Sequence, residues 1–223
     1  MLFRSGRDGR APGAPTANAG GDGPAFGRVR QPYEPPSAAA PPGSASPYAE
    51  LHCHSNFSFL DGASHPEELA EEAHRLGLTA LALTDRNGLY GIVRFAEAAR
   101  AVQLPTVFGA DVTVQDGDDA HQIVLLADGP GGYAHLARAL SLAQLAGRKN
   151  EPRCTIADLS RDGAGHWWVL TGTHDGAVTS ALVSDGPSAA RRELARLIEA
   201  FGRDRVLVRS EEHTSELQSR VDI

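Results

Sequence analysis

The sequence predicts an α/β domain built around a mostly parallel sheet. From Tyr48 to Arg209, apolar segments of strand length alternate with amphipathic segments of helical length. Residues 79–84 form a continuous apolar run, which is typical of a strand that is buried on both faces. Repeated strand–helix units indicate a parallel sheet, but the pattern alone leaves open whether that sheet is open or closed into a barrel.

The first half of the domain predicts two strand–helix units. A strand begins at Tyr48, and a capping box over residues 64–67, with Pro in the first turn, opens a helix that ends before Gly77. The apolar run 79–84 is the second strand. A helix of about residues 89–103 follows it and ends before a proline.

The second half begins with a predicted hairpin of residues 106–114 and 121–127, joined by a polar turn that contains glycine. Centring this turn near Asp116 places Asp111 opposite His121, and cross-strand neighbours share a face. The remaining predicted elements are a helix over 132–146, an irregular segment over 147–165, a strand over 166–171, helices over 177–183 and 188–201, and a strand over 205–209.

The composition bounds the protein class. Hydrophobic residues make up 41% of the 223 residues, and no apolar run approaches the roughly 20 residues of a membrane helix. No apolar segment follows the N-terminal arginines, which argues against a secretory signal. Two cysteines do not make a disulfide framework, so we expect a reducing cytoplasm. The net charge of −7 argues against binding nucleic acid by charge alone.

Both ends of the chain differ from the middle. Residues 1–47 contain eight Gly and nine Pro. Such a composition cannot bury enough apolar surface to offset its ordering entropy, so residues 1–46 are predicted to be disordered. Residues 210–223 are polar and patternless, and they resemble translated sequencing adapter, so we expect a non-native tail there.

The candidate functional residues follow the first strand. On a strand, side chains alternate between faces, so His52 and His54 point the same way and Cys53 points the other way. Two imidazoles on one face at a strand end can bind a metal ion. Asp61 returns from a loop closed by Gly62 and could add a carboxylate oxygen. The alternative is a chance His-x-His at a strand edge followed by an ordinary turn.

The wider string from His52 to Ala63, H-C-H-S-N-F-S-F-L-D-G-A, resembles the first motif of the polymerase and histidinol phosphatase (PHP) domain. The form is that at the amino end of bacterial C-family DNA polymerases, and residues 81–85 and 91–99 are similar to the error-prone branch. The resemblance covers about residues 47–209. It implies a distorted (β/α)₇ barrel, here truncated at its carboxyl end, with metal ligands at the carboxyl ends of the strands.

The resemblance also implies a cluster of two or three zinc or manganese ions that activates water for phosphoester hydrolysis. The positions that match the family ligands are His52, His54, Asp61, Asp111 and His121. Asp111 stands where the family usually has glutamate, so its shorter side chain is expected at the periphery. Because several family ligands are replaced, we expect weak or partial metal binding.

Two replacements carry most of that expectation. Asp85 matches the acid of the second motif, but Arg86 stands where a ligand histidine is usual. A guanidinium has no lone pair to donate, so Arg86 is expected either to hold a phosphate or to pair with Asp61 or Asp85. Thr173 replaces a usual cysteine, and His174 beside it is a possible substitute.

Three functions remain open. The first is the amino-terminal piece of an error-prone DNA polymerase that contacts DNA through later domains and works with replication or damage-response proteins. The second is a metal-dependent phosphoesterase of the histidinol-phosphatase type. The third, compatible with the first, is a mainly structural module with a degraded metal site. The polymerase-style motif, Arg86 and Thr173 favour the first and third over the second.

Overall fold

The computed structural model describes residues 48–209 apart from 118, 150 and 164. The predictions of a disordered segment at 1–46 and a non-native tail at 210–223 lie outside these described residues. The strands are β1 (Ala49–Cys53), β2 (Ala80–Leu83), β3 (Thr106–Asp116), β4 (Asp119–Ala127), β5 (Trp167–Leu170) and β6 (Val206–Leu207). The α-helices are α1 (Pro66–Arg75), α2 (Ile92–Ala101), α3 (Gly129–Ala146), α4 (Ile156–Gly163), α5 (Ala177–Asp185) and α6 (Pro187–Phe201).

All six strands form one sheet in the order β1-β2-β3-β4-β5-β6. The pairs β1–β2, β2–β3 and β5–β6 are parallel, whereas β4 runs antiparallel to both of its neighbours. The side chain of His52 on β1 contacts the side chain of Arg209, which follows β6. The two edges of the sheet therefore approach each other, and the sheet curls into an incomplete barrel, which confirms the predicted fold class.

The apolar side chains divide between the inside and the outside of this curled sheet. The inner cluster takes one or two residues from each of β1 to β5, namely Leu51, Ala82, Val107, Val124, Leu126 and Leu170. Outside the sheet, one cluster packs β2 against α1 and α2, and a larger one packs β3, β4 and β5 against α3, α4 and α6. As in closed (β/α) barrels, the interior is filled by side chains and is not a pore.

The start of α1 differs by one residue from the predicted capping box. The helix is capped at His65, whose backbone N–H donates to Glu68 Oε2 over 2.9 Å. Glu67, the predicted capping acid, instead forms an ion pair with Arg94 on α2. With the N-cap at His65, Glu68 is the third helical residue, which is the position whose side chain reaches back to the N–H of the cap.

The predicted register of the β3–β4 hairpin is wrong. Asp111 pairs with Val124, and His121 pairs with Val114. Asp116 itself pairs with Asp119, so the turn is centred after Asp116 and not near it, and the pairing differs from the prediction by three residues. Because the side-chain period of a strand is two, an odd shift sends His121 to the face opposite Asp111.

The two cysteines are free, and burial raises the pKa of each thiol to about 11. Cys53 packs against the outer cluster beneath α1 and α2, away from the neighbouring histidines, as strand alternation predicts.

At pH 8 the thiolate fraction of each cysteine is about a hundredfold below that of an ordinary cysteine. We expect native thiols to react with Ellman's reagent at least about a hundredfold more slowly than thiols in guanidinium. Rapid titration of one thiol in the native protein would contradict this.

Candidate metal centre

The first two candidate ligands lie where β1 ends. The pairing of β1 with β2 is irregular between Glu50 and Cys53. Leu51 packs in the inner cluster, whereas Cys53 packs outside, so the irregularity turns the strand end relative to the sheet. The rings of His52 and His54 lie edge to face with centroids 4.8 Å apart. The sequence-based expectation that these two imidazoles lie together agrees with this geometry.

The third candidate ligand is Asp111, near the middle of β3. Ala110 and Val112 pack in the outer cluster, so Asp111 between them points to the inside of the sheet. Its Oδ2 lies 3.5 Å from Nε2 of His52 and 3.4 Å from Nε2 of His54. Asp111 is therefore central to the cluster and not peripheral, contrary to the expectation from its short side chain.

The electrostatics of Asp111 are set by the two histidines. Burial by itself raises the pKa of the Asp111 carboxyl, but the electrostatic interaction with the imidazoles of His52 and His54 at 3.4–3.5 Å outweighs it. The pKa of Asp111 consequently lies below its ordinary value. The carboxylate is thus negatively charged at neutral pH, the state in which it can bind a cation.

The ligand atoms of these three residues fit a single divalent ion. His52 Nε2, His54 Nε2 and Asp111 Oδ1 are all buried and have no hydrogen-bond partner. One ligand atom from each residue lies within 4.8 Å of the others. Ligand bonds of about 2.1 Å around a tetrahedral zinc ion place neighbouring ligand atoms about 3.4 Å apart, close to the His–Asp distances above. In the described part of the chain, this is the one group of three such side chains.

Asp61 and Arg86 form a separate pair beside this cluster. Arg86 Nη1 lies 3.2 Å from Asp61 Oδ2, which agrees with one of the two partners expected for Arg86. The backbone of Arg86 bridges to that of Asp111, so the pair is held next to the three ligands. The structure therefore places Asp61 with a cation from the chain itself and not in the three-ligand group.

Asp85 has a role that sequence reasoning missed. It is buried, and its carboxylate accepts hydrogen bonds from Ser55 N–H at 2.8 Å and from the hydroxyls of Ser55 and Ser58. Ser58 Oγ in turn accepts the Arg86 N–H at 2.9 Å. Asp85 thus anchors the loop after β1 to the end of β2 and does not pair with Arg86. The Ser-x-x-Ser spacing after the histidines was the available signal.

Two further histidines lie outside the cluster. His121 is on the opposite face of the hairpin, so the structure does not bring it to His52 as predicted. His174 is 83% exposed at its side chain and contacts Asp175, so it does not substitute for the replaced cysteine.

Comparison with known proteins places this chain in a family. The model of the PHP domain family matches residues 50–213. The chain therefore belongs to the PHP domain family. In the described residues, no helix is both long and apolar enough for a transmembrane segment.

Its relatives narrow the class further. An error-prone DNA polymerase of Mycolicibacterium paratuberculosis is 49% identical over 201 residues, covering 86% of this chain and 18% of the relative. An error-prone DNA polymerase of Cutibacterium acnes is 46% identical, covering 87% of this chain and 18% of the relative. The chain thus spans less than a fifth of these relatives. The solved structure of an amidohydrolase from Chromobacterium violaceum is 32% identical over 44% of this chain and 34% of its own, but its TM-score of 0.37 is too low for a structural comparison.

Proposed function

We propose that this chain is the PHP portion of a cytoplasmic error-prone DNA polymerase and that its own role is mainly structural, around one divalent-metal position. Sequence identity of 46–49% to error-prone DNA polymerases supports the parent activity. DNA synthesis, DNA contacts, and replication or damage-response partners would belong to the whole protein.

The observation that carries the metal position is the convergence of His52 Nε2 and His54 Nε2, both buried and without a hydrogen bond, on Asp111 Oδ2 at 3.4–3.5 Å. A buried polar atom without a hydrogen bond costs about 1–3 kcal/mol, so two such nitrogens that face one carboxylate favour an ion between them. When bound, zinc or manganese supplies Lewis acidity and lowers the pKa of a coordinated water. His52 and His54 would hold the ion through Nε2, and Asp111 would neutralise part of its charge.

The pair of Arg86 and Asp61 supports a structural role. Hydrolysis by two metal ions needs a second ion beside the first. Asp61 is the nearby carboxylate that could serve such an ion, and its charge is already neutralised by the Arg86 guanidinium at 3.2 Å. Arg86 would also repel a second cation. A site that holds one metal ion and one internal ion pair is suited to fixing the ends of β1, β2 and β3 relative to one another.

Replacing Arg86 with histidine is expected to strengthen metal binding. The change removes a positive charge, frees Asp61 and adds an imidazole near the existing ligands. Calorimetry with zinc should give one ion per wild-type chain and, for Arg86→His, either a second ion or at least about tenfold tighter binding. Arg94→His is the matched control, because Arg94 makes a comparable ion pair with Glu67 between α1 and α2. Equal zinc affinity in wild type and Arg86→His would place Arg86 outside the metal centre's influence.

Two measurements test the proposed role itself. The purified chain loaded with zinc or manganese should not hydrolyse bis-p-nitrophenyl phosphate above the rate of Asp111→Asn. Metal-dependent turnover lost in that variant would instead favour the phosphoesterase alternative.

The gene should continue beyond codon 209 into a long open reading frame that encodes a polymerase. A stop codon shortly after that point would contradict the polymerase assignment.

A further inference from the structure

A cavity of about 520 Å³ lies next to β3, beyond the metal ligands. Its polar lining includes Asn87, Thr113 and Gln115, together with Arg148, Glu151 and Arg153 from the loop between α3 and α4. This volume falls in the range of pockets that bind small molecules. None of the three metal ligands lines it, so the cavity is distinct from the metal centre.

The loop that carries the two arginines is fixed to β3 through Gln115 and through Cys154 Sγ, which donates to Thr113 O over 3.4 Å. The Gln115 side chain donates to Pro152 O over 3.1 Å and accepts from Cys154 N–H over 2.8 Å. Its backbone N–H donates to Cys154 O over 2.9 Å. At the other end of the loop, Gly147 is required, because a Cβ there would lie 2.1 Å from Glu151 O. The arginines are thus presented on a tightly docked segment.

The uncharged part of the lining is also fixed. Asn87 Nδ2 donates to Thr113 Oγ1, and Thr113 N–H donates to Asn87 Oδ1, each over 2.9 Å. Gln122 Nε2 donates to the same hydroxyl over 3.0 Å. These amides and the hydroxyl are uncharged and already have partners, and the charged groups of the lining all come from the loop.

The charge of that loop is opposite to that of the chain. Arg148, Lys149 and Arg153 carry three positive charges against the one negative charge of Glu151, whereas the whole chain has a net charge of −7. Among the described residues, neither Arg148 nor Arg153 makes an ion pair with a carboxylate. Two arginines against one glutamate leave the cavity lining with a net positive charge, which makes it a candidate anion site.

The position of the cavity relates it to the metal centre. Asp111, Thr113 and Gln115 are every second residue of β3 and therefore lie on one face of the strand. The cavity lies beside Thr113 and Gln115. Two residues of a strand span about 7 Å, which is similar to the separation of successive phosphates in an extended nucleic-acid strand. The cavity lies toward the carboxyl end of β3, the end of a strand at which (β/α) barrels bind their ligands.

We propose that Arg148 and Arg153 form a phosphate-binding subsite for a nucleotide or for the backbone of a single DNA strand. The two guanidinium groups bind the phosphate oxygens, and the polar cavity beside them accommodates the attached sugar and base. Binding at this subsite does not require the metal ion, so it can be tested apart from the metal centre.

The test uses the whole chain in EDTA, with fluorescence anisotropy of labelled oligothymidylate and with unlabelled dTMP as competitor. In Arg148→Gln/Arg153→Gln, affinity should fall at least about tenfold, and the slope of log K against log salt should flatten by about 1.4, two phosphates at about 0.7 each. The matched control is Arg191→Gln/Arg192→Gln, which removes the same charge from exposed positions on α6 and should keep affinity within about twofold. Circular dichroism and thermal melting should be the same for all three proteins.

Each outcome has a defined meaning. Competition by dTMP identifies a mononucleotide as sufficient, and oligothymidylate binding without such competition identifies a strand. Equal losses in the two double variants would mean that only overall charge matters, and the subsite would be disproved. Absence of binding by both ligands to the wild-type chain would also overturn it, while leaving the metal centre untouched.

Discussion

Asparagine in place of Asp111 is expected to weaken zinc binding at least about a hundredfold, because it removes the only negative charge of the three-ligand cluster. The carboxylate lies 3.4–3.5 Å from both histidine Nε2 atoms, so no other group in the cluster can take its place. Loss of a group that only orients a ligand costs about 10–100-fold in metal affinity, and loss of a direct ligand should cost more. Calorimetric titration of the metal-free chain with zinc measures the change.

His121→Ala is the informative control for this experiment. The family pattern assigns His121 to the metal set, whereas the observed hairpin register places it on the other face from Asp111. We expect its zinc affinity to stay within about twofold of wild type, because the side chain lies on the face of the hairpin away from Asp111. A loss as large as that of Asp111→Asn would show that His121 is a ligand and that the hairpin pairs differently in the metal-bound protein.

Removal of the Asp85 carboxylate is expected to have the largest effect on stability. Asp85→Ala should lower the free energy of unfolding by about 3–5 kcal/mol, because the side chain is buried and accepts hydrogen bonds from two serines. The substitution leaves the Ser55 N–H and the hydroxyls of Ser55 and Ser58 without their acceptor. Urea unfolding followed by circular dichroism provides the measurement.

A comparison with an exposed acid separates this effect from a simple loss of charge. Glu97 lies on the exposed side of α2, so Glu97→Ala should change the unfolding free energy by no more than about 0.5 kcal/mol. If Asp85→Ala destabilised the protein no more than Glu97→Ala, the serine hydrogen bonds would contribute nothing measurable to the fold.

The fold could be predicted from the sequence because its main signal is local. Continuous apolar runs and capping residues indicated most of the strands and helices, with boundary errors such as the cap at His65, which lies one residue later than predicted. The exception is α4 (Ile156–Gly163), a whole helix within the segment that was predicted to be irregular. The common side of His52 and His54 at the end of β1 was predictable in the same way, because strand alternation brings the two side chains together.

The rest of the site could not be predicted because it depends on register. The hairpin turn alone did not specify which residues pair, and a three-residue difference reversed the expected position of His121 relative to Asp111. The central position of Asp111 depends on how closely β1 approaches β3 across the curled sheet. Such distances follow from packing of the whole domain, to which side-chain length alone is a poor guide.

The antiparallel β4 has a consequence for the order in which the protein folds. β3 and β4 pair through a short turn, whereas the approach of His52 to Arg209 joins residues at the two ends of the domain. Loop-closure entropy favours short-range contacts, so the hairpin should form in the folding transition state. The contact between His52 and Arg209 should form afterwards. An ion that joins Asp111 on this hairpin to the histidines of β1 would then act after the transition state, slowing unfolding while leaving the folding rate nearly unchanged.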